Sequence, residues 1–174
     1  LFIADEVQTG IARTGKLLAV DYENVKPDVL ILGKALSGGA YPVSAVLANN
    51  AIMDVIQPGN HGSTFGGNPI AAAVAIAALE VVKDEKLAEN AFKLGELFRS
   101  QINTYIKTSK IVNCIRGKGL LNAIVINDDE DSDTAWNICL RLRDHGLLAK
   151  PTHGNIIRFA PPLVMNQDQL LDCV

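Results

Sequence analysis

Cysteine is scarce in this sequence: Cys114, Cys139 and Cys173 are three in 174 residues, odd in number and far apart. That excludes a disulfide framework and a CxxC metal knuckle, and it suits a reducing compartment. Long apolar runs are lacking as well. The most apolar stretch, Ile70 to Leu79, is largely alanine and too short to span a bilayer. No basic block or arginine-aromatic stripe occurs, and 16 basic against 19 acidic residues leave a formal net charge of −3. Composition therefore offers no nucleic-acid surface. Repeats and low-complexity tracts are absent. With 48% hydrophobic residues the chain has ample apolar surface to offset the entropy of ordering, which excludes disorder.

What is present reads as alternating elements. Leu1–Ala4 is an apolar run with no methionine and no targeting segment before it, and it reads as a buried strand cut from a longer protein. Val29–Leu32 and Val43–Ala48 are further strands, with short helices expected over Leu17–Glu23 and Asn49–Ile56. Asn68-Pro69 offers a side-chain cap followed by proline in the first turn. The helix it opens, Ile70 to Val82, is apolar nearly all round and is expected to be buried. Leu87, Ala91, Leu94, Phe98, Ile102 and Ile106 step by threes and fours, giving a second helix over Glu85–Ile106 one buried face. Strands follow at Ile111–Ile115, Leu120–Ile126 and Ile156–Phe159, with a helix over Thr134–Asp144. Asp128 to Asp133 is an acidic, solvated turn. Trp136 and the phenylalanines read as core. Gln167 to Val174 opens a helical pattern that stops before any cap. The fold class expected is α/β, with a mostly parallel sheet in residues 1–82 and a small α+β domain in residues 83–174.

Gly10 to Lys16 matches the G-x-x-x-x-G-K part of a P-loop, but Leu17 supplies no hydroxyl for magnesium and no strand leads into the loop, so an ATPase site is rejected. Asp5 stands at the C-terminal end of a strand, where parallel sheets bind ligands; the alternative is a surface or capping carboxylate. Lys34 ends the apolar strand Val29–Leu32 in the same way. A desolvated amine there is a nucleophile toward aldehydes, whereas a surface lysine is the plainer reading. A carboxylate and an amine at neighbouring strand ends suit pyridoxal phosphate, which needs an amine for its aldehyde and an anion beside its pyridine nitrogen. Ser63-Thr64-Phe65-Gly66-Gly67-Asn68-Pro69 is either a phosphate cradle before a helix or a glycine turn with a cap. Arg158, inside an apolar strand, meets either a substrate carboxylate or a structural one. His61, His145 and His153 show no ligand spacing, so no metal site is expected.

Leu1-Phe2-Ile3-Ala4-Asp5-Glu6-Val7-Gln8-Thr9-Gly10, Arg13-Thr14-Gly15 and Gly33-Lys34-Ala35-Leu36-Ser37-Gly38-Gly39 resemble the class III pyridoxal-phosphate aminotransferases. His61 to Pro69, Arg116 to Ala123, Leu147 to Gly154 and Ile157 to Pro162 resemble the branch of that class acting on ornithine. The resemblance covers essentially the whole chain. It implies part of the large domain of a fold-type I transferase over residues 1–82 and the small C-terminal domain, truncated at its end, over residues 83–174. It implies pyridoxal 5'-phosphate as cofactor. Asp5 would pair with the pyridine nitrogen, Val7 pack on the ring and Gln8 bond the ring hydroxyl. Lys34 would condense with the aldehyde and then shuttle a proton. Ser63 and Thr64 would reach the cofactor phosphate of a neighbouring subunit, making a homodimer with shared sites, and Arg158 would bind a substrate carboxylate.

The resemblance further implies amino-acid and 2-oxo-acid substrates: the side-chain amino group of ornithine moves to 2-oxoglutarate. Acetylornithine and 4-aminobutyrate are the alternative donors. A compartment in the mitochondrial matrix or the cytoplasm fits, and neither nucleic acid nor membrane is an expected partner. The glycine-rich phosphate loop and ring-stacking aromatic of such enzymes are expected upstream of Leu1. Outside this class, the alternative is a non-catalytic α/β fragment that acts as a binding module.

Overall fold

The computed structural model describes all residues, Leu1–Val174. The chain divides into two compact units, Leu1–Ala88 and Glu89–Val174.

In the first unit, β1 (Ile3–Asp5), β2 (Val29–Leu32) and β3 (Ala45–Ala48) form a three-stranded sheet in that order. β1 and β2 are parallel, with Asp5 opposite Ile31, and β2 and β3 are antiparallel. The sheet is thus half parallel rather than mostly parallel. The short 3-10 turn Lys34–Ser37 and the glycines behind it send the chain straight back beside β2. A second 3-10 turn, Ala19–Tyr22, precedes β2. α1 (Asn50–Met53) is a single turn capped by Asn49, shorter than its apolar pattern suggests. α2 (Pro69–Asp84) starts as expected: the Asn68 side chain accepts from the Ala71 amide at 2.8 Å, and Pro69 fills the first position.

Two expectations for this unit fail. Ala71 is the only buried residue of α2, and Ile70, Ile76, Leu79 and Val81 are exposed. β1 is an edge strand with Ile3 exposed and only Ala4 buried. The reason is common to both. α2 touches the Lys34–Ser37 turn, and nothing in the unit covers its remaining faces or the outer edge of β1.

The second unit is built around α3 (Leu87–Ile106), whose bulk falls within it. Its predicted stripe is the one that packs: Ala91, Leu94 and Phe98 join Leu120 and Leu170 in a core. The Phe98 and Phe159 rings lie 5.6 Å apart and tilted. A four-stranded antiparallel sheet runs in the order β4 (Val112–Lys118), β5 (Leu121–Ile126), β7 (Ile156–Phe159), β6 (Lys150–His153). α4 (Thr134–Asp144) packs Ala135 and Cys139 against Ile126 and Ile157. α5 (Gln167–Asp172) is capped by Asn166.

The β4–β5 hairpin tip rests on α3. A side chain at Gly95 would place its Cβ 1.9 Å from the Gly119 carbonyl oxygen. Arg99 donates to that carbonyl at 3.1 Å and to Asn122 Oδ1 at 2.7 Å. β6 occupies the Pro-Thr-His segment, where pairing with β7 supplies a ladder that its composition does not advertise. Trp136, on the outer side of α4, is exposed, as are Phe2, Phe65 and Phe92. Only Phe98 and Phe159 among the aromatics read as core serve there.

Candidate active site

Parallel pairing of β1 with β2 carries two chemically active side chains to the same end of one sheet. Asp5 is the last residue of β1, and Lys34 follows β2 after one glycine. Since Asp5 sits opposite Ile31, Lys34 is three residues beyond that pairing, and both side chains are exposed. The exposure departs from the desolvated amine expected from the apolar strand. β1 is the outer strand, so no neighbour shields the crevice on that side.

Local bonding orients Asp5. The Val7 amide donates to Asp5 Oδ1 at 3.1 Å, an Asx-type turn that fixes the carboxylate beyond the strand. Val7 is half-buried and leans on Gly33, where an added Cβ would come within 3.2 Å of Val7 Cγ1. Gly33 therefore lets Val7 sit between the two strand ends. Lys34 has φ of 41°, in the left-handed region that a lysine seldom enters. The 3-10 turn it opens holds that conformation: the Leu36 amide donates to Gly33 and the Gly38 amide to Ala35. Backbone strain at a reactive residue is a recurrent mark of sites held in place by their surroundings.

Sequence reasoning passed over Glu6. It is buried beside these groups, with Oε1 accepting from the Val20 amide at 2.9 Å and Oε2 from the Thr9 hydroxyl. Asp5-Glu6, an acidic pair closing an apolar strand, was the available signal. Arg13 is partly buried, and loss of water around its guanidinium lowers its pKa. The adjacent Thr14 hydroxyl is buried and has no hydrogen-bond partner.

The other predicted residues stand elsewhere. Gln8 is exposed just past Val7. Ser63 and Thr64 are exposed on the loop leading into α2, and Ser63 Oγ accepts from the Gly66 amide at 2.9 Å. Arg158 belongs to β7 in the second unit, exposed between the buried Ile157 and the core residue Phe159. It also lines a cavity of about 280 Å³ with Phe98, Leu120 and Asn122. The larger depression of the first unit, about 720 Å³, is lined by Pro27, Asp28 and Leu30 and so lies at the opposite end of β2 from Lys34.

The donor set fits pyridoxal phosphate: one oriented carboxylate, one primary amine and an apolar side chain between them. No group of histidine, cysteine or acidic side chains is arranged to hold a metal ion. No helix is long and apolar enough to cross a membrane.

Comparison with known proteins follows the same line. The sequence profile of the family described as Aminotransferase class-III matches residues 1–174. The mitochondrial ornithine aminotransferase of Drosophila melanogaster is 66% identical over 174 residues, all of this chain and 39% of that protein. The ornithine aminotransferase of Saccharomyces cerevisiae is 55% identical, covering 98% of this chain and 41% of its own length. Among solved structures, the acetylornithine aminotransferase of Elizabethkingia anophelis is 73% identical with a TM-score of 0.96, covering 99% of this chain and 43% of that one. The Toxoplasma gondii ornithine aminotransferase is 48% identical with a TM-score of 0.93, covering 98% and 40%. The chain thus spans about two fifths of the length of the proteins it matches.

Proposed function

This chain belongs to the class-III aminotransferases, and on that footing we propose that the full-length protein carrying it transfers the side-chain amino group of ornithine to 2-oxoglutarate. The observation that carries the reading is the placement of Asp5 and Lys34 at the same end of two paired parallel strands. Curated relatives from insects, mammals and fungi that cover the chain bear the ornithine name. A second reading, acetylornithine as donor, is favoured by the Elizabethkingia anophelis structure.

Pyridoxal phosphate, when bound, supplies an aldehyde that takes up the amino group and a conjugated ring that accepts the electron pair released at the substrate carbon. The Lys34 amine holds that aldehyde at rest. The same amine would also move the proton at the substrate carbon that bears the nitrogen. The Asp5 carboxylate keeps the ring nitrogen protonated, and Val7 packs on the ring face. Gln8 bonds the ring hydroxyl. Ser63 and Thr64 bind the phosphate in a neighbouring subunit of a homodimer, and Arg158 takes a substrate carboxylate. Residues 1–82 act as part of the cofactor-binding domain and residues 83–174 as the small domain. A mitochondrial location follows the relatives named for it.

Borohydride reduction of the full-length holoprotein tests the assignment without turnover. The cofactor should be fixed on the peptide carrying Lys34, and label on Lys16, Lys118 or Lys150 would overturn it. Comparing kcat/KM for the two donors separates the readings: ornithine should lead acetylornithine by about tenfold or more, the equivalent of ~1.4 kcal/mol in the transition state.

A further inference from the structure

The Asp5 carboxylate is oriented by the Val7 amide, which donates to Oδ1 at 3.1 Å. Packing does little to fix it, because Asp5 is exposed and closes an outer strand. An Asx turn of this kind is only as rigid as the residue inside it, and that residue is Glu6.

Burial alternates across the strand end: Ala4 and Glu6 are buried, and Asp5 between them is exposed. Glu6, 2% exposed, is held on every side. Its amide donates to the Ile31 carbonyl and its carbonyl accepts from the Gly10 amide, each at 2.9 Å. Any residue here could make that main-chain pair. The side-chain pair is particular to an acceptor with two oxygens: Oε1 takes the Val20 amide at 2.9 Å and Oε2 the Thr9 hydroxyl. The turn is thus tied to β2, to the loop at Thr9 and Gly10, and to the 3-10 turn Ala19–Tyr22. A buried carboxylate needs donors for its oxygens, and these are met from within the chain. With both oxygens engaged and the residue buried, Glu6 is not placed to touch a ligand itself.

We propose that Glu6 is a positioning residue that acts through Asp5. By anchoring the turn to Val20 and Thr9 it holds the Val7 amide, and with it the Asp5 carboxylate, in the orientation required opposite the ring nitrogen. The inference rests on the proposed role of Asp5 and adds that its aim is set from the buried side of the strand end. Hydrogen bonds weaken steeply with misalignment, and a site group must be held within about 0.5 Å of its productive place. Loosening the turn should therefore weaken what passes through the ring nitrogen and spare what does not.

The test titrates the full-length protein, stripped of cofactor, with two ligands. One is pyridoxal 5'-phosphate. The other is 1-deazapyridoxal 5'-phosphate, which has a carbon in place of the ring nitrogen and offers Asp5 no proton. Glu6→Ala should weaken the first about tenfold and the second by less than about twofold. Thr9→Ala removes one donor and leaves the carboxylate, a milder change to the fold. It should weaken the first ligand about two- to fivefold and leave the second unchanged. Thr9→Ser and Glu6→Gln, which keep the bonds, should stay within about twofold of the unsubstituted protein on both. In an Asp5→Asn background the Glu6→Ala effect should vanish, since no carboxylate remains to be aimed.

Equal weakening of both ligands by Glu6→Ala would mean a general loosening of the pocket and would overturn the proposal. So would a full Glu6→Ala effect persisting beside Asp5→Asn, or a loss in Thr9→Ser as large as in Thr9→Ala. If the unsubstituted protein does not distinguish the two ligands, Asp5 does not serve the ring nitrogen, and the proposed site falls together with this inference. If it distinguishes them and Glu6→Ala keeps the ratio, this inference alone falls.

Discussion

Glu6 has all four of its polar groups in use. Its amide donates to the Ile31 carbonyl, its carbonyl accepts from the Gly10 amide, and its carboxylate accepts from Val20 and Thr9. These bonds tie the residue after Asp5 to β2, three positions before Lys34, and to the loop that follows β1. Gly10 is part of the same device, since a Cβ there would fall 2.7 Å from the Glu6 carbonyl oxygen. Removing the carboxylate strands a part-buried amide and a part-buried hydroxyl. Glu6→Ala should therefore cost about 3 kcal/mol of unfolding free energy in the full-length protein. Glu6→Gln should cost about 1 kcal/mol, because the amide oxygen still serves Val20 and its NH2 can donate to the Thr9 hydroxyl. Urea denaturation of the two variants checks the order, and equal losses would show that the carboxylate is not the clamp.

Among the elements, those with a strong local signal stood where the sequence put them. Val29–Leu32 and Ile156–Phe159 are strands, Thr134–Asp144 is a helix, and α3 buries the stripe from Leu87 to Phe98. Asn68-Pro69 opened α2 because the capping bond is local. Elements that depend on a partner were harder to read. β6 is a strand only because β7 pairs with it, and Pro151 and His153 give no hint of that. The direction of β3 depends on a 3-10 turn opened by a lysine at positive φ. The same division applies to the site: Asp5 and Lys34 were legible as strand-end residues, whereas the Val7–Gly33 contact and the Glu6 clamp arise only when two strands pair.

Gly95 shows how narrowly one such pairing is set. Its missing side chain lets α3 meet the Gly117–Gly119 tip, and an added Cβ would overlap backbone rather than a movable side chain. Gly95→Ala should cost roughly 1–3 kcal/mol by overpacking. The loss should be confined to the second unit. Hydrogen exchange should quicken at β4 and β5 and stay unchanged at β1 and β2. Equal loss of protection in both sheets would show that the hairpin tip is not where the strain falls.

At the scale of the whole molecule, the first unit is the one with surface to spare. Ile3 on an unpaired strand edge, Val46 and Leu47 on β3, and Ile70, Ile76, Leu79 and Val81 along α2 are all exposed. So much apolar surface on one unit marks a place where other protein belongs, and an open strand edge invites pairing. This chain accounts for 39% of the length of the Drosophila melanogaster protein it matches. The isolated 174-residue chain should therefore self-associate, bind a hydrophobic dye strongly and show little or no transaminase activity, whereas the full-length protein should turn over ornithine and bind the dye weakly. Sedimentation, dye fluorescence and turnover on ornithine measure the three. Robust turnover by a monomeric, dye-silent 174-residue chain would mean that the strand ends of Asp5 and Lys34 complete a site without any further polypeptide.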